Sequence, residues 1–353
     1  MSASSDKLLT RRFAGAAIAC FVLVPWLVVY VVIGLVRDPS AEDLVKERLL
    51  LQRPGVDTVV VGDSRVGYIS EEPFARKGWT YFNFGMSGIS PSDVAVQLKY
   101  ALKHTGVRRV VMGLSFENMN EAKPLQHSPF AHEVPFNDPE ILAYATVAPG
   151  SRGESSYAAF RTAVDEYVLP IQRAAPKLRA LVAVLVKPPT QFFQPNGNVA
   201  YVGIREAIAG GTYDFQTNRD PQYYFNVHDA PYQRRQRLGE HAKAIYVRMF
   251  DTLRGLNMPC IAFETGRTAE HQRMLDADPL LVRLQNEWRE FFRGQSHGSV
   301  KFVEYSNVAD CYDKNDFVDS LHFIGKTGDR LAERLADELD ELEKQVGKGE
   351  GRK

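Results

Sequence analysis

Five short apolar runs recur along the chain, at residues 56–61, 80–84, 107–114, 259–263 and 300–305. Each is nearly continuous rather than alternating, as strands buried on both faces of a parallel sheet are. Between the runs, apolar positions fall at helical spacing. Val94, Leu98, Ala101 and Leu102 form one stripe, opened by the cap-like Ser90-Pro91-Ser92-Asp93 and closed by Gly106. Leu238, Ala242, Ile245, Met249 and Leu253 form a second stripe, and Leu280, Leu284, Trp288 and Phe291 a third. The last, Leu331, Leu335, Leu339 and Leu342, predicts a helix over 326–346 followed by a frayed, disordered tail at 347–353. This alternation predicts an α/β domain over 51–346, doubly wound around a parallel sheet of about five strands. Its ligand site belongs beyond the carboxyl ends of the strands.

Two stretches break the rhythm. Residues 115–233 are rich in Pro, Gly, Tyr and Phe, as in Gln191-Phe192-Phe193-Gln194-Pro195 and Gln222-Tyr223-Tyr224-Phe225. They read as an insertion after the third strand, folded over the strand ends. The other is the N-terminal run of 13–36, which carries no charge. As a helix it would span roughly 36 Å, enough to cross a hydrocarbon core of about 30 Å. It ends in Gly34-Leu35-Val36-Arg37-Asp38 without a small-residue cleavage site, so an uncleaved transmembrane anchor is expected, followed by a linker over 37–50. Lys7, Arg11 and Arg12 precede it, which keeps residues 1–12 in the cytoplasm and exports the remainder. The expected location is the inner or plasma membrane, single-pass, with the domain periplasmic or extracellular.

Charge adds one exclusion. With 43 basic and 43 acidic residues there is no overall field to attract nucleic acid, and no nucleic-acid partner is expected. Of three cysteines, Cys20 falls in the apolar run; Cys260 and Cys311 would either pair in an oxidising compartment or stay free and buried. His104, His127, His132, His228, His241, His271 and His297 show no metal spacing, so neither a metal site nor a cofactor is expected.

Candidate chemistry sits where the strands end. The first run leads into Gly62-Asp63-Ser64-Arg65, placing a serine at the carboxyl end of a buried strand after a turn-forming glycine. Asp319-Ser320-Leu321-His322 follows the fifth run, and a carboxylate three residues before a histidine can orient one imidazole nitrogen. The other nitrogen can then take a proton from a serine, a base worth roughly 10²–10⁴ in rate. Asn83-Phe84-Gly85-Met86-Ser87-Gly88 follows the second run, where the Gly88 amide and that of Ser64 could cradle an oxyanion. Taken singly, each element also reads as a turn, a helix cap or a loop histidine.

In their order, Gly62-Asp63-Ser64, Gly88 and the Asp319/His322 pair resemble the sequence blocks of the SGNH (GDSL-type) hydrolase superfamily. The resemblance implies a flavodoxin-like α/β/α sandwich, a Ser64–His322–Asp319 triad and acyl-ester chemistry. With the N-terminal anchor and long insertion, the chain is similar to the membrane-anchored SGNH-like proteins of cell-surface polysaccharide O-acetylation. That implies a polysaccharide or other acylated glycan as substrate, and it admits a membrane-bound acyl-transfer partner. One block departs from the pattern. Where the family carries an oxyanion-donating asparagine, strict register in Leu114-Ser115-Phe116-Glu117-Asn118-Met119-Asn120 places Glu117, whose carboxylate would repel an oxyanion. Asn118 or Asn120 could supply the donor from a shifted loop, or serve only as turn formers. The expectation is therefore an esterase or O-acyltransferase, with a non-catalytic SGNH-like scaffold as the alternative.

Overall fold

The computed structural model describes residues 42–86, 89–119, 140, 194–196, 198, 221–229, 237–304, 317, 319–323 and 325–350. The chain divides into two compact units, 1–44 with 151–189 and 45–150 with 190–353. The described residues lie almost wholly in the second. The apolar run of 13–36, Cys311, Gly88, Asn120 and most of the insertion lie outside them. Among the described residues, no helix is long and apolar enough to cross a membrane.

The fold is α/β around a five-stranded, all-parallel sheet. The strands are β1 (Thr58–Val61), β2 (Tyr81–Asn83), β3 (Arg109–Leu114), β4 (Cys260–Glu264) and β5 (Val300–Val303), in the order β2-β1-β3-β4-β5. That order is consistent with a flavodoxin-like fold. All five coincide with the apolar runs; four are trimmed at their ends, and β4 is shifted by one residue to include Glu264. Asp57, for instance, lies ahead of β1 because its carbonyl accepts the amides of Arg108 and Arg109 from the start of β3.

Because side chains alternate along a strand, successive valines of β1 enter different cores. Val59 and Val61 join Phe82, Val110 and Met112 beneath helices α3 (Pro91–His104), α5 (Glu240–Gly255) and α7 (Pro279–Gln295). Val60 joins Tyr81, Val111, Ile261 and Phe263 beneath α2 (Glu72–Arg76) and α8 (Gly325–Glu350). Helices thus cover both faces, and every strand delivers its carboxyl end to one rim.

Two boundaries differ from expectation. The stretch read as a linker contains helix α1 (Glu42–Gln52). Leu50 of α1 is buried in the core, and buried Lys46 donates to the carbonyls of Asn83 and Gly85 at the end of β2 and beyond it, so residues 46–50 pack with the domain. Helix α8 continues to Glu350, into the expected tail, with only 351–353 outside the described residues. Cys260 is a free, buried thiol on β4.

Candidate active site

The sequence after β1 fixes Ser64 in a rigid turn. Gly62 has a φ of 148°, a conformation that side chains rarely permit, and its N–H donates to the buried Gln97 Oε1 at 3.1 Å. Asp63 caps the 3₁₀ helix Ser64–Tyr68, its Oδ1 accepting the Arg65 N–H at 3.0 Å. Two residues past Ser64, Val66 lies flat against the sheet. A Cβ added to Gly113 would stand 2.1 Å from Val66 Cγ1, and one added to Gly85 would stand 2.5 Å from Val66 Cγ2. The buried Asn83 side chain donates to the Val66 carbonyl at 2.7 Å and to Asn198 Oδ1 at 2.9 Å. The Asn83 N–H donates to the Asn196 carbonyl at 2.9 Å, so the insertion also pins this turn.

Beyond β5 the loop 319–322 folds around its own aspartate. Asp319 Oδ1 accepts the N–H groups of Leu321 at 2.8 Å and His322 at 2.9 Å. Asp319 Oδ2 lies 2.7 Å from His322 Nδ1, and His322 Nε2 lies 2.6 Å from Ser64 Oγ. Ser64, His322 and Asp319 therefore converge as the sequence suggests. An ionised carboxylate only accepts, so Nδ1 carries the hydrogen and Nε2 is free to accept from the serine hydroxyl. Burial acts to raise the Asp319 pKa, but His322 and the two amides outweigh it and hold the carboxyl down at about 2. The aspartate stays charged and keeps the imidazole in the tautomer a general base requires.

Glu117, placed by register where an asparagine was wanted, does not confront an oxyanion as a free charge. It is 1 % exposed and forms an ion pair with the equally buried Arg65 at 2.8 Å. Burial disfavours the Arg65 charge, yet Glu117 and Asp63 prevail and raise its pKa. Arg65 also donates to Thr265 Oγ1 at 3.2 Å, and the Ser115 hydroxyl bonds Asp63 Oδ2. A buried polar layer thus joins the ends of β1, β3 and β4 next to Ser64. Of the expected oxyanion donors other than the Ser64 amide, Asn118 alone is described: its amide lies 3.4 Å from Asp63 Oδ2. Gly88 and Asn120 lie outside the described residues.

Sequence reasoning missed several members of this site. Tyr224 donates its hydroxyl to Asp319 Oδ2 at 2.9 Å. His271, expected only not to bind a metal, is fully buried; its Nε2 lies 2.7 Å from Asp229 Oδ2 and its Nδ1 3.1 Å from Ser320 Oγ. The Arg65–Glu117 pair had one legible signal, a charge on each side of two strand ends. Tyr224 and Asp229 had none, since neither lies in a periodic segment. Among the described residues no group of His, Cys, Asp or Glu could hold a metal ion.

Tyr68 meets the His322 ring edge-on, with centroids 6.4 Å apart, and also lines a polar cavity of about 410 Å³. Glu71, Asn196, Asn198 and Asp329 line it as well. No protein-family model and no curated protein sequence matches the chain.

Proposed function

We propose that this chain is an SGNH-type acyl-ester hydrolase or O-acyltransferase acting on a cell-surface or secreted polysaccharide, anchored by the helix expected at 13–36. The observation that carries the reading is the unbroken hydrogen-bonded line Ser64 Oγ–His322 Nε2 and His322 Nδ1–Asp319 Oδ2. In this scheme Ser64 Oγ attacks the ester carbonyl while its proton passes to His322 Nε2. The tetrahedral intermediate collapses, the alcohol leaves with that proton, and an acyl-serine remains. Water or a sugar hydroxyl then attacks the acyl carbon, again through His322. The acceptor distinguishes esterase from transferase.

One observation favours the alternative of a non-catalytic, glycan-binding scaffold. The Asn118 amide is engaged by Asp63, so no side-chain replacement for the family's oxyanion asparagine is evident there. Loss of one such donor costs about 3–4 kcal/mol of transition-state stabilisation. Acetate release from model acetyl esters by the full-length chain separates the two readings. Turnover that disappears with Ser64→Ala supports the enzyme, and none from the wild type supports the scaffold. For location, a reporter that functions only in the cytoplasm should be silent when fused after Lys353; activity there overturns the export reading.

A further inference from the structure

We propose that Tyr224 is a positioning residue of the triad, holding the Asp319 oxygen that His322 also uses, and that Asp229, His271 and Ser320 anchor it in place. The inference rests on the acyl-chemistry reading of the site. A carboxylate offers about four acceptor positions, two on each oxygen. On Oδ1 both are taken by backbone N–H groups, from Leu321 and His322. On Oδ2 one is taken by His322 Nδ1 at 2.7 Å and the other by the Tyr224 hydroxyl at 2.9 Å. Without that hydroxyl, the only side-chain donor on Oδ2 among the described residues is the imidazole that the carboxylate is meant to orient. The carboxylate could then rock with the imidazole instead of fixing it. Tyr224 supplies a bearing independent of the moving part.

For the hydroxyl to act this way, its own segment must be held. Five residues on, Asp229 is fully buried and meets His271 Nε2 at 2.7 Å. The opposite ring nitrogen reaches Ser320 Oγ at 3.1 Å, and Ser320 adjoins Asp319. His271 lies in helix α6 (Ala269–Asp276), whose capping Thr268 donates its N–H to the Ser320 carbonyl at 2.9 Å. The segment Pro221–Asp229 therefore grips the catalytic loop twice, at Asp319 through Tyr224 and at Ser320 through His271. A tyrosine present only for packing would need no such second hold.

The test uses the full-length chain and a fluorophosphonate, whose fluoride is displaced from phosphorus by Ser64 Oγ as the serine proton passes to His322. Tyr224→Phe removes one oxygen and keeps the ring. It should slow labelling at saturating probe about 10-fold, leave the half-saturating probe concentration unchanged, and move the far-downfield proton resonance of His322 Nδ1–H. Asp229→Asn should slow labelling as well, and the double variant should be no slower than the worse single one. Wild-type labelling by Tyr224→Phe with an unmoved resonance overturns the proposal. So does a loss that merely tracks a lowered melting temperature. If the wild type itself resists the probe, the acyl-chemistry reading falls, and the resonance still decides whether Tyr224 acts on Asp319.

Discussion

Substituting Gly113 by alanine should disable the proposed site from beneath, without touching Ser64, His322 or Asp319. The new methyl would lie 2.1 Å from Val66 Cγ1 and 3.3 Å from Thr265 Cγ2. Carbon atoms settle at about 3.5–4.0 Å, so the 3₁₀ helix must withdraw by roughly 1.5 Å. Val66 cannot turn aside: its χ1 is stiff, and its other methyl is pressed against Gly85, where an added Cβ would be 2.5 Å away. Overpacking of this kind costs about 1–3 kcal/mol, a fall of a few degrees in melting temperature for a domain of this size. Activity should suffer far more. Ser64 is two residues from Val66, and a similar shift stretches its 2.6 Å contact with His322 beyond hydrogen-bond reach. A misplacement of about 1 Å can cost about 10²-fold in rate. Ester turnover and thermal unfolding measured on the same preparation should show that disproportion, and adding Val66→Ala should recover most of the rate. Full turnover by Gly113→Ala, or a double variant as inactive as the single, would refute the close-packing account.

Three further outcomes are expected. Ser64→Ala and His322→Ala should reduce ester turnover to the same residual level and add little when combined, with Asp319→Ala milder; additive losses in kcat would separate the pair into independent groups. Arg65→Ala removes the guanidinium that faces buried Glu117 at 2.8 Å and should cost about 3–5 kcal/mol in urea unfolding, more than Glu117→Gln; equal costs would mean that Glu117 draws its compensation from elsewhere. Asp319 has its carboxyl lowered from an ordinary 3.8 to about 2. Its contribution, about 2 kcal/mol, is fully present above pH 4 and is lost as pH falls towards 2. Comparing wild type with Asp319→Asn by urea unfolding over that window should show the difference shrinking, and a constant gap would contradict the shift.

How much could be read in advance depended on whether a signal was local. The strands were legible because parallel strands buried on both faces spell continuous apolar runs, and 58–61 and 260–264 fall on them almost residue for residue. The alignment of Ser64, His322 and Asp319 was legible because Ser64 follows β1 closely and the Asp319/His322 pair falls between β5 and the last helix. Helix α1 was hidden by Leu49-Leu50-Leu51, three consecutive leucines that blur helical spacing. Glu117 was read correctly as an oddity but could not be matched with its partner. The Arg65 that neutralises it is distant in sequence and meets it only once β1 and β3 pair. Tyr224 and Asp229 were illegible for the same reason, since only the returning end of the insertion brings them to loop 319–322.

The strand order also dictates when the chain can become competent. Strands β2, β1 and β3 come from residues 58–114, and their pairings close short loops. The pairing of β3 with β4 must span roughly 150 residues from Leu114 to Cys260, an entropic cost that grows with the logarithm of loop length and delays the step. Ser64 follows the first of these strands, while Asp319 and His322 follow β5, the last strand in the chain and an edge of the sheet. During refolding, or as the chain emerges from synthesis, a structured but inert intermediate should precede the reactive protein. Covalent labelling of Ser64 would then trail the burial of Phe82 and Phe84, and the serine would acquire its base only when the final edge of the sheet is laid down.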